Sequence, residues 1–100
     1  MENPTRTVTL THFGRPVTVS VETGRYAHGD GLAVQLIDTG DGMHYATVSV
    51  NVEGAPLAGE EFVFKTYSEN EGLLEALTAA GVVAVTGKTT DVGPVCRLLP

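Results

Sequence analysis

"LAVQLIDTGDGMHYATVSV", residues 32–50, sets an alternating apolar stretch on each side of a centre made of threonine, glycine and aspartate. Successive side chains of a strand point to opposite faces. Leu32, Val34 and Leu36 therefore fall together on one arm, and Ala46, Val48 and Val50 on the other. "TGDGM" between the arms has the residues that turns require. The stretch predicts an antiparallel hairpin with one buried face, and hence a sheet to which that face belongs.

The same period continues upstream. "TVTLTHF" puts Val8 and Leu10 on one side and Thr7, Thr9 and Thr11 on the other. "GR" at 14–15 fits a turn, with Gly14 supplying the positive φ that tight hairpins need. "PVTVSVE" resumes with Val17, Val19 and Val21 facing one way, and "ETGRYAHGDG" reads as a glycine-punctuated loop. Downstream, "EGAPLAGEE" is a loop around Pro56, and "FVFKTY" is a fifth strand rich in aromatic residues.

The period then changes. Ser68 stands three residues before Glu71, the spacing of a capping box. Leu73, Leu74, Leu77 and Ala80 recur at three and four, and Gly81 ends the run as a left-handed cap. This predicts one amphipathic helix of about twelve residues, its leucines inward and Glu71, Glu75 and Thr78 opposite. "VVAVTGK" and "PVCRLL" read as short closing strands. The expected fold class is α+β: a single domain over residues 1–100, with a mainly antiparallel sheet of five to six strands and one amphipathic helix packed on it.

Composition narrows the function classes. The 100 residues carry a net charge of −6, which opposes direct binding to nucleic-acid phosphates or to anionic membranes. No stretch approaches the ~20 consecutive apolar residues of a membrane-spanning helix, and "MENPTRTV" has no signal-peptide pattern. A lone cysteine, Cys96, between apolar neighbours suits a reducing interior and a buried position. The expected location is cytoplasmic.

Chemical motifs fail on spacing. Gly87-Lys88-Thr89 resembles the end of a P-loop, but the first glycine would have to be at 82, where the chain has Val82. Gly87-Lys88 reads instead as a turn. His12, His28 and His44 lie sixteen residues apart rather than in the close pairs of zinc sites, so they read as exposed histidines, not metal ligands. The Asp38–Asp41 turn lacks the oxygen ligands of a calcium loop. No nucleophile signature is present, and Tyr26, Tyr45 and Tyr67 read as half-buried sheet residues. Neither catalytic residues nor a cofactor or metal are expected, and the chain reads as a non-enzyme.

Charge distribution is what remains. Residues 30–75 hold nine acids against Lys65, a net of −8, while the rest of the chain is net +2. A solvated face accounts for part of this, and the helix dipole favours Glu69 and Glu71 near a helix start. Glu71 and Glu75 at i,i+4 would repel one another on that helix, which stability does not require. A field of one sign steers association with an oppositely charged partner. The candidate partner-binding residues are Asp38, Asp41, Glu60, Glu61, Glu69, Glu71 and Glu75.

"YAHGDGLAVQLID", "HYATVSVNVEGAPL", "YSENEGLLEALTAAGVV", "TGK" and the terminal "PVCRL" are spread over about residues 25–99. In these segments the chain resembles the domain-of-unknown-function family 4313, small proteins carried by bacterial mobile elements and phages. The resemblance implies an α+β fold and carries no catalytic residues. By analogy with other small acidic proteins of such elements, it implies an inhibitor of host defence, of the anti-CRISPR or antirestriction type, some of which imitate DNA. The expectation is a non-enzymatic protein that presents carboxylates to a basic protein surface on a CRISPR effector or restriction complex. The alternatives are a small structural or regulatory module that forms a homodimer or pairs through a sheet edge, and a small enzyme built around His28 or His44.

Overall fold

A computed structural model describes residues 6–26, 31–52, 54, 57, 59–67 and 70–99. The alternating stretches form strands where expected: β1 (Arg6–His12), β2 (Arg15–Arg25), β3 (Leu32–Asp38) and β4 (His44–Thr47). β5 (Ser49–Val50), β6 (Glu61–Phe64), α1 (Leu73–Ala79), β7 (Val83–Thr89) and β8 (Pro94–Leu98) follow. The expectation of one sheet of five to six strands is corrected to two four-stranded sheets, ordered β1-β2-β3-β4 and β5-β6-β8-β7, with antiparallel pairing throughout. The mainly antiparallel character and the single short helix stand.

The doubling of the sheet begins within the 32–50 hairpin. Its second arm is not one strand: Val48 lies between β4 and β5, where the chain passes from one sheet to the other. The Val48 N–H donates to the Val34 carbonyl at 3.0 Å, while its own carbonyl accepts from the Lys65 N–H at 2.7 Å. Just beyond, the buried Ser49 Oγ accepts the Val34 N–H at 2.9 Å and lies 2.8 Å from Tyr26 Oη. A side-chain oxygen thus satisfies a buried backbone donor at the corner. Ser49 turns inward there and Val50 is half-buried, the reverse of strict alternation. An extra residue, Tyr45, between the pairs Leu36↔Ala46 and Ile37↔His44 makes a bulge in β4, which bends and twists a strand.

Inner faces of both sheets and the helix supply one core. Leu10, Val19, Val34 and Leu36 from the first sheet meet Phe62, Phe64 and Cys96 from the second, with Leu73 and Leu77 from α1. The helix touches β1 and β7, the outermost strands of the two sheets. Cys96 is fully buried, as its neighbours predicted, and burial pushes its thiol up to about 11.

The helix ends where the sequence placed it and begins elsewhere. Gly81 takes φ 77°, the Gly81 N–H donates to the Thr78 carbonyl and the Val82 N–H to the Leu77 carbonyl. That is a Schellman motif, closed by the buried pair Leu77 and Val82. At the start, Gly72 is the N-cap at φ 83° with no side-chain capping bond. The expected twelve-residue helix is therefore seven residues long, and Glu71 lies before it, so Glu71 and Glu75 do not face one another on one helix. Ser68 is outside the described residues. The loop expected from residue 22 is strand as far as Arg25. Gly87 and Lys88 lie inside β7, where the register slips between Val85 and Thr89, and not in a turn.

Candidate partner-binding surface

The seven acidic candidates separate into groups with different surroundings. Asp38 and Asp41 build the β3–β4 turn: the Gly40 N–H donates to Asp38 Oδ1 at 2.8 Å and the Met43 N–H to Asp41 Oδ1 at 2.9 Å. Backbone bonds from Asp38 N–H to the Met43 carbonyl and from Gly42 N–H to the Asp38 carbonyl close the same turn. Aspartates commonly stabilise turns in this way, so both carboxylates shape the hairpin as well as charging it.

Glu60 and Glu61 sit at the start of β6 against cations from outside the acid-rich stretch. Arg25 at the end of β2 lies 3.5 Å from Glu60 Oε1, both side chains more than half exposed. Lys88 Nζ lies 2.7 Å from Glu61 Oε1. The first pair contributes less than ~1 kcal/mol, because water and salt screen it. Even so, each contact places a positive charge beside the carboxylate, and the linear tally of charge overstates the field here. Glu69 lies outside the described residues. Glu71 and Glu75 are exposed, and among the described residues neither has an ion-pair partner.

A residue expected to be exposed ties the segment of Glu71 to β4. His12 is only 5 % exposed. Its Nε2 lies 2.7 Å from the Glu71 carbonyl and its Nδ1 2.6 Å from Tyr45 Oη. A carbonyl can only accept, so Nε2–H donates to it, and in the neutral ring Nδ1 accepts from the tyrosine O–H. The imidazole thereby joins three segments: the β1–β2 turn, the bulge of β4 and the residue before the N-cap of α1. Gly72 lies against the same ring, where an added Cβ would meet His12 Cδ2 at 3.6 Å. The signal in the sequence was the alternation itself, since Val8, Leu10 and His12 share the inward face of β1.

Phe13 follows at the tip of the hairpin. Its ring stacks on His12 with centroids 4.2 Å apart, and Tyr45 meets the imidazole edge-on at 5.8 Å. Phe13 is 67 % exposed, as is Met43, at 65 %, on the neighbouring β3–β4 turn. Neither was a candidate from sequence. Of the tyrosines, Tyr26 and Tyr45 are half-buried as expected, whereas Tyr67 is half-exposed, in a bend beyond β6.

The enzyme alternative meets one contact: His44 Nε2 lies 2.9 Å from Thr47 Oγ1 on exposed surface. An activated hydroxyl requires a base held in turn by a third group, and among the described residues none bonds the other nitrogen of His44. His28 lies outside the described residues. Among the described residues no group of three or more His, Cys, Asp and Glu side chains could hold a metal, and no helix is long and apolar enough to cross a membrane. No family model, curated protein or solved structure matches the chain.

Proposed function

We propose that this chain is a non-enzymatic acidic binding protein that docks on a basic protein surface, as an inhibitor of a host nucleic-acid-binding defence complex of the anti-CRISPR or antirestriction type. One observation carries the reading. Glu71 is bonded through its carbonyl to buried His12, and Asp38 and Asp41 stand on the turn that leads into β4, whose Tyr45 bonds the same ring. Glu75 is in the first turn of the helix that follows, and none of the four has a cationic partner among the described residues. Glu60 and Glu61, beside Arg25 and Lys88, become the rim of the surface. The net charge of −6 favours fast, salt-dependent association with a Lys/Arg-lined groove. The mobile-element resemblance supports the choice of a defence complex as the partner.

The test is a double reversal, Glu71→Lys with Glu75→Lys, against Glu22→Lys, which makes the same kind of change on the exposed face of β2. Binding to purified CRISPR effector and restriction complexes, and inhibition of their cleavage, would be measured at low and high salt. The double reversal is expected to abolish both and the control to spare both. Undiminished binding by the double reversal would sink the proposal.

One observation favours a second reading, as a module that pairs through a sheet edge. β1 ends its sheet, and between Arg6 and His12 it carries no charged residue, proline or register slip, the devices that usually protect an edge. His12↔Arg15 closes a two-residue hairpin, so pairs 10/17 and 8/19 are hydrogen-bonded and the Thr7, Thr9 and Thr11 amides point away from β2. Sedimentation from micromolar to millimolar concentration decides it: a dimer that Thr9→Lys dissolves supports edge pairing, and a constant monomer mass refutes it.

A further inference from the structure

We propose that Phe13 is the anchor of the binding surface, and that the partner receives it in an apolar cleft bordered by arginine. This deepens the acidic-binding reading above and rests on it.

The backbone is the first observation. In a two-residue hairpin of this type both central residues have positive φ, which is why asparagine, aspartate and glycine dominate there. Phe13 has φ 54° and Gly14 φ 74°, and Phe13 is the sole non-glycine with positive φ among the described residues. A bulky side chain in that region is strongly disfavoured. Folding gives little in return, because the residue is 67 % exposed. Strain of this sort persists where the surrounding structure enforces it and is concentrated at functional sites.

The second observation is rigidity. The ring lies on an imidazole that is itself buried and bonded at both nitrogens. Phe13 is therefore presented on a fixed base, and docking it costs little side-chain freedom. Exposed Met43 stands on the adjacent turn, with its N–H held by Asp41. Aromatic residues and methionine are enriched at the centres of interfaces, with charged groups at the rim.

Charge selects the occupant. Glu71 is held to this end by His12, Asp38 and Asp41 stand on the adjacent β3–β4 turn, and Arg15 is the basic residue next to the Phe13–Gly14 turn. A second copy would bring like charges together, and an anionic lipid surface would be repelled. An arginine-bordered cleft suits both features: a guanidinium stacks on an aromatic face and pairs with a carboxylate in two-pronged geometry.

The probe is a synthetic amphipathic helix with arginine on one face and leucine on the other, compared with an arginine–serine peptide of equal charge. Both would be titrated into the ¹⁵N-labelled full chain, its Phe13→Asn and Phe13→Gly variants, and the Glu71→Lys/Glu75→Lys double reversal. The arginine–leucine peptide is expected to shift the amides of Phe13, Gly14 and Met43 and to bind at least tenfold more weakly to both Phe13 variants. Phe13→Asn should not lower the melting temperature, since asparagine accepts positive φ. Equal affinity of either folded Phe13 variant and the wild type, or equal binding of the two peptides, overturns the anchor. Loss on charge reversal with undiminished binding by the Phe13 variants leaves the acidic reading standing and the anchor refuted. Loss in the Phe13 variants with undiminished binding on charge reversal retains the anchor and removes the acidic reading.

Discussion

Exchanging one NH₂ group for an oxygen, in Asn70→Asp, should cost this protein a large share of its stability. Asn70 is 1 % exposed. Its Nδ2 donates to the Thr47 carbonyl at 2.8 Å and to the Lys65 carbonyl at 2.9 Å, strapping the end of β4 to the residue after β6. Its Oδ1 has no partner among the described residues. Aspartate keeps the shape and removes both donors. Each lost bond is worth ~0.5–1.5 kcal/mol net, and each buried carbonyl left unpaired costs ~1–3 kcal/mol. A protonated carboxyl restores one donor, so the loss at low pH is about 1.5–4.5 kcal/mol. Ionised, the group faces two carbonyl oxygens in a dry site, which raises its folded pKa above the unfolded value of ~3.9. The loss is then smallest below pH ~3.9 and grows by ~1.4 kcal/mol per pH unit until the folded pKa is passed. Urea unfolding of the wild type and of the Asn70→Asp and Asn70→Ala variants at pH 4 and pH 7 measures both effects as differences from the wild type. An Asn70→Asp variant within 1 kcal/mol of the wild type at pH 7, or with the same deficit at both pH values, would refute the reasoning.

Leu77→Ala empties a position 1 % exposed in the core and removes half of the hydrophobic closure of the helix. Chemical denaturation should show a loss of ~2–5 kcal/mol, and a loss below 1 kcal/mol would mean that the helix does not pack as described. Gly93→Ala would set a Cβ against the Phe64 carbonyl oxygen, well inside van der Waals contact. Backbone must move to admit it, at ~1–3 kcal/mol, read as a drop in melting temperature. Cys96, with its thiol raised from 9.0 to about 11, gives stability that is complete below pH ~9 and lost as pH rises toward 11. Cys96→Ala should flatten that alkaline decline, and the native thiol should resist a thiol reagent at pH 8.

Much of the fold could be read from periodicity because burial on one face imposes it. Val8, Leu10, Val19, Val21, Leu32, Val34 and Leu36 all alternate inward as their spacing requires. The corner at Val48 left no such mark, since Ala46 and Val48 keep the period and only Ser49, buried for its hydroxyl, departs from it. The helix start was misread because Ser68 and Glu71 match a capping spacing, whereas positive φ at Gly72 sets the boundary. For the surface, local charge was legible and its neutralisation was not. Arg25–Glu60 and Glu61–Lys88 join residues 35 and 27 apart, a separation at which only the folded chain decides neighbours. The burial of His12 and the exposed place of Phe13 departed from expectation for different reasons: one has a polar side chain on an inward position, the other a bulky one where a turn ordinarily takes asparagine.

The sharing of Val48 between the two sheets bears on how this molecule opens. Its N–H bonds one sheet and its carbonyl the other, so neither sheet can unzip at that point without loosening an anchor of its neighbour. Amide exchange at Val48 should therefore proceed only through the global opening event, as slowly as any site in the core. A chain cut between residues 47 and 49 should not yield two halves that fold independently. On the proposed reading as an inhibitor, that cooperativity would have a use: a pull on the docked end would load both sheets together.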